Sequence, residues 1–124
     1  MAELSLPLNI LSTADGFISG FVEIPGPQNA NNLTIETFSD IDPNLHVDSR
    51  APALFHVRQT DFNDPNPDHG YLDQFSTQLI QYFVRIGGTQ TNPHQAIILR
   101  LRLRRLDRDS GWGQSLSLDV LLKL

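Results

Sequence analysis

Four aspartates and two asparagines fall within thirteen residues of a 124-residue chain, in the run Asp61 to Asp73, DFNDPNPDHGYLD. Oxygen-rich runs of this kind suit hard cations, because calcium takes about six to eight oxygen ligands from a flexible loop and alternate side chains can converge on one point. Asp64, Asn66, Asp68 and Asp73 have that spacing and form the candidate calcium site. An Asx/Pro turn loop has the same composition without any metal, because Asp, Asn and Pro are also the residues that build turns.

The run resembles the short calcium loops of the Asp-x-Asp-x-Asp-Gly-x-x-Asp type, with one departure: His69 stands before Gly70. The resemblance implies a bound Ca²⁺ and says nothing of the fold. A second constellation is Ile97 to Arg105, where Leu99, Leu101 and Leu103 alternate with Arg100, Arg102 and Arg104. Period-two alternation makes one face of a strand apolar and the other a guanidinium stripe. Such a stripe grips carboxylates or phosphates in bidentate fashion. Its carboxylates would come from acids on adjacent strands, with Glu23, Glu36 and Asp119 as candidates, or from another subunit.

Trp112, the single tryptophan, lies between Gly111 and Gly113. A ring at a loop tip is placed for carbohydrate stacking or for anchoring an interface, and equally for plugging the end of a fold. The four histidines, His46, His56, His69 and His94, are too far apart for a helical zinc pair. Cysteine is absent, which excludes thiolate metal sites and thiol nucleophiles. The string Gly16-Phe17-Ile18-Ser19-Gly20 lacks the spacing of a nucleophile elbow, Gly87-Gly88-Thr89 lacks the rest of a phosphate loop, and Lys123 is the single lysine. A non-enzymatic role is therefore expected.

Charge is uneven. Residues 1 to 80 hold 11 acids against Arg50 and Arg58, a net of −9, and the remainder is +4, within a total of −5. Nucleic-acid domains are usually basic overall, so nucleic acid is an improbable partner and protein contacts are favoured. A small acidic inhibitor or nucleic-acid mimic would share the acidity but not the stripe. No apolar run approaches the roughly 20 residues of a membrane-spanning helix. The amino-terminal residues have an early acid rather than a basic region and an apolar stretch. A soluble protein without a signal peptide is expected, its compartment unknown.

These residues need elements to position them, and alternation supplies seven candidate strands: Leu4 to Ile10, Phe17 to Ile24, Asn32 to Ser39, Ala53 to Thr60, Leu79 to Ile86, Ala96 to Leu106 and Leu116 to Leu124. Asp15-Gly16, Pro25-Gly26-Pro27, Asp42-Pro43-Asn44, Gly87-Gly88 and Asn92-Pro93 separate them as turns. Pro7 falls inside the first and argues for an edge or a bulge, since proline donates nothing to a ladder. One all-β domain over residues 1 to 124 is expected, an antiparallel sandwich or jelly roll of seven to eight strands. At most one short helix fits, over Tyr71 to Phe83, where Leu72, Phe75 and Leu79 share a helical face.

Function is expected to follow from packing. The leading expectation is a structural subunit that assembles with copies of itself or into a larger complex, as virion capsid, decoration and tail components do by analogy. Arg100, Arg102, Arg104 and Trp112 would form its interface, with no cofactor. The alternative is a lectin-like module using Asp64, Asn66, Asp68 and Asp73 for calcium and Trp112 for sugar stacking.

Overall fold

A computed structural model describes residues 2–60, 75–106, 111–113 and 115–124. Eight strands carry the described chain: β1 (Ala2–Pro7), β2 (Asn9–Ser12), β3 (Phe17–Ile24), β4 (Asn32–Ile41), β5 (Ala53–Gln59), β6 (Phe75–Gly88), β7 (Pro93–Arg105) and β8 (Leu116–Lys123). They form two four-stranded sheets, ordered β1-β4-β7-β6 and β2-β3-β8-β5. A jelly-roll winding is a finer statement than these orders make.

The first expected strand is two strands. Leu8 interrupts it, buried in the core, with its N–H donating to the Phe38 carbonyl at 2.9 Å, so that β1 joins the first sheet and β2 the second. Both are edge strands, which accommodates Pro7 at the end of β1. β1 pairs with β4 in parallel, in contrast to the wholly antiparallel arrangement expected; the other pairs are antiparallel. The β2–β3 hairpin closes through Asp15 and Gly16, both at positive φ (62° and 83°), the backbone that a two-residue hairpin turn requires.

Among the described residues there is no helix. Phe75 opens a strand of 14 residues, longer than expected at both ends. Its helix-like spacing has a cause. A β-bulge at Ile80 shifts the register, so Leu79 stands opposite Leu101 while Tyr82, rather than residue 81, stands opposite Leu99. An extra residue changes which parity faces inward, which destroys simple alternation in the sequence.

One apolar cluster lies between the sheets. It takes Leu33, Ile35, Ile97, Leu99, Leu101 and Leu103 from the first sheet and Ile18, Val22, Ile24, Leu116, Leu118 and Leu122 from the second. Each is an alternate residue of its strand, so two half-apolar sheets remove their inward faces from water together. Among the described residues, no helix is long and apolar enough to cross a membrane.

Candidate functional site

β7 is a central strand, and its alternation places Leu99, Leu101 and Leu103 in the core and Arg100, Arg102 and Arg104 on the outward face. Arg100 donates from Nη2 to Oε1 of Glu3 at 3.2 Å. The acid is thus on β1; of the three expected partners, Glu36 lies beside Arg100 in register, whereas Glu23 and Asp119 belong to the other sheet. Among the described residues, neither Arg102 nor Arg104 has an ion-pair partner, and Nε of Arg102 is shielded from solvent without a hydrogen bond. Next to the stripe, Ile98 stands between Phe38 and Phe83 in register, adding an apolar row to the same sheet.

The inward series of β7 ends on an arginine, which the stripe motif concealed. Arg105 is buried, its Nη1 donating to the Gly111 carbonyl and its backbone N–H to Asn31 O at 2.8 Å. Parity was the available signal, since residue 105 follows 99, 101 and 103 on the core side.

That arginine helps seat Trp112. The indole is 1% exposed and meets Phe75 edge-on, with ring centroids 5.1 Å apart. Trp112 and Gln28 exchange backbone hydrogen bonds in both directions, at 2.8 and 2.9 Å. Gly111 is required by the close approach: a Cβ there would run into the Gln28 carbonyl. The ring therefore plugs the core and offers no face to a sugar or a partner. Asp64, Asn66, Asp68 and Asp73 lie outside the described residues, and no metal-holding group of three His, Cys, Asp or Glu occurs among those described.

The second sheet turns a different outward face to solvent. Along β8 it presents Asp119, Leu121 and Lys123, with Ser117 on the same side but buried, flanked by Phe17, Ser19 and Phe21 of β3 and by Leu54 and His56 of β5. Leu11, the extra residue where the β2 register shifts, is 71% exposed, and Leu54 is 64% exposed. Together with Leu121 they line a shallow groove of ≈ 380 Å³. Periodicity alone could not assemble it, because its walls come from strands that are neighbours only in the folded sheet.

One side of the groove is charged. Arg58 Nε donates to Asp119 Oδ2 at 2.8 Å, and His56 Nδ1 lies 3.3 Å from the same oxygen. Partial burial pushes the Asp119 carboxyl up, but the hydrogen bonds from Arg58 and His56 and then their charges outweigh it, leaving it below its ordinary value. Of the remaining histidines, His94 sits on β7, His46 in the 42–52 connection, and His69 outside the described residues.

No protein-family model, curated protein or solved structure matches this chain.

Proposed function

We propose that this protein is a non-enzymatic assembly subunit, a β-sandwich that packs with copies of itself or into a larger complex in the manner of a capsid, decoration or tail component. The observation that carries this reading is the apolar groove on the outward face of the second sheet, where Leu11 and Leu54 stand in solvent beside Leu121. Isolated surface leucines are ordinary, whereas a contiguous apolar patch rimmed by charge marks an interaction surface. Arg102 and Arg104 supply a second contact on the opposite side of the molecule, ready for a partner's carboxylates.

The test is solution mass by light scattering across a concentration series, with and without calcium. A multimer whose mass ignores calcium is expected. A single-chain mass at every concentration overturns self-assembly, and a calcium-dependent mass moves the site to the aspartate run. Arg102→Glu with Arg104→Glu is expected to leave the unfolding midpoint within the small range of surface changes while lowering the assembled mass. An unchanged mass removes the stripe from the interface.

A further inference from the structure

We infer that the groove on the second sheet is the half-site of a two-fold dimer, in which the outward face of β8 meets the same face of a second copy with Asp119 opposite the partner's Lys123. The inference deepens the assembly reading and rests on it.

The pattern that selects a second copy as occupant is self-complementarity. Ser19, Leu121 and Leu54 form one row across β3, β8 and β5. On one side the next outward row is Phe21, Asp119 and His56; on the other, Phe17 and Lys123 stand paired. Sheets that pack face to face keep their strands roughly aligned. A two-fold axis lying between them, across the strands and along the Leu121 row, runs the two β8 strands antiparallel.

That operation sets Leu121 against Leu121 and Leu54 against Leu54. It sets Phe21 against Phe17, and Asp119 against Lys123, twice each. Asp119 and Lys123 are separated by four residues, about 13 Å of strand, and stand equally far from the axis. A two-fold axis running along the strands instead would put Asp119 against Asp119 and Lys123 against Lys123. Charge therefore chooses between the two isologous arrangements.

The side chains are placed for it. Lys123 is exposed and has no ion-pair partner among the described residues. Asp119 remains partly open, with 35% of its side chain accessible, despite its hydrogen bond to Arg58. Glu23 and Arg58 lie one outward row further out than Asp119, past the ends of the facing strands, where they meet no opposing strand.

Charge variants test this directly. Lys123→Glu places Glu opposite Asp119, and Asp119→Lys places Lys opposite Lys123, so each variant alone is expected to run at single-chain mass. Mixed together, they restore both opposite-charge contacts, and a heterodimer is expected by native mass spectrometry. If the unmodified protein dimerises and Lys123→Glu still does, the two-fold site is wrong while the assembly reading stands on another face. If the unmodified protein is a single chain throughout, both fall.

Asp119→Lys also removes the partner of Arg58 and can cost folding. A second variant avoids that difficulty. Leu121→Cys introduces the only cysteine in the chain, and a bismaleimide matching the roughly 10 Å between packed sheets should join two copies through it. Cross-linking that survives added Lys123→Glu, or that fails in a dimeric sample, overturns the proposal.

Discussion

On the outside of the first sheet, β7 presents Arg100, Arg102 and Arg104; on the outside of the second, β8 presents Asp119, Leu121 and Lys123. Turned over, the two strands are nearly the same object. Leu99, Leu101 and Leu103 on one answer Leu116, Leu118 and Leu122 on the other, all buried. Inward residues are constrained by a shared core that any apolar, well-fitted side chain satisfies. Outward residues answer to no such constraint, so their differences record what each face meets. One face is a cationic stripe whose Arg100 pairs with Glu3, and the other an apolar groove lined by Leu11, Leu54 and Leu121 with Asp119 at its side.

The sharpest separation of fold from use is made within one strand. Leu118→Ala in β8 and Leu101→Ala in β7 each remove a fully buried side chain, and each is expected to cost about 2–5 kcal/mol by urea unfolding. Leu121→Ala, three residues from Leu118 and outward, is expected to leave the stability of the isolated chain within about 1 kcal/mol. Its effect belongs in the assembled mass. Equal losses at Leu118 and Leu121 would collapse the distinction between the two sides of the strand.

A smaller effect tests whether the two inward faces are as alike as β7 and β8 suggest. Tyr82 faces inward on β6, and its hydroxyl is buried without a hydrogen-bond partner among the described residues. Burial, with a contribution from the charge of Asp48, pushes the phenol up to about 12. Tyr82→Phe removes a polar atom that folding strips of water for no return. It is expected to be neutral or stabilising by up to about 1 kcal/mol. Because the folded value lies above the unfolded one near 10, the neutral phenol's contribution is complete below about pH 10 and is lost as pH rises towards 12. The stability gap between Phe and Tyr should therefore widen over that interval, and an unchanging gap would place the hydroxyl in water.

Alternation made the strands legible, and with them the sidedness of Leu99 to Arg104 and of Leu116 to Lys123. Turn chemistry made Asp15-Gly16 legible, because its positive φ values follow from residue type. Three features were hidden for a common reason. The break at Leu8, the bulges at Leu11 and Ile80 and the parallel β1–β4 pair are each decided by which strands become neighbours, and that is not a local property of the chain. Trp112 shows the same limit at one residue. Its glycine neighbours signal a tight approach correctly, but what is approached, Gln28 and Phe75, lies far away in sequence. Asp119 was named only as a candidate acid for the arginine stripe, and the folded sheet gives it to Arg58 instead.

That reassignment supplies the smallest and most pointed test of the contrast between the faces. The Arg58 guanidinium and His56 hold the Asp119 carboxyl below its usual range in spite of partial burial. A carboxylate with a lowered folded value contributes stability above its unfolded value near 4, and that contribution is lost as pH falls through the folded value. The pair is substantially exposed, so Asp119→Asn should reduce stability at pH 7 by far less than Leu118→Ala, and the difference from the unmodified chain should shrink as pH falls below the unfolded value. The dimer should respond over the same interval, since protonating Asp119 removes one charge from each of the two contacts with Lys123. Asp119→Asn already at single-chain mass at pH 7 would place the acid-sensitive contact on the second sheet, whereas an Asp119→Asn multimer that dissociates on acidification like the unmodified chain would place it where the arginine stripe meets a partner's carboxylates.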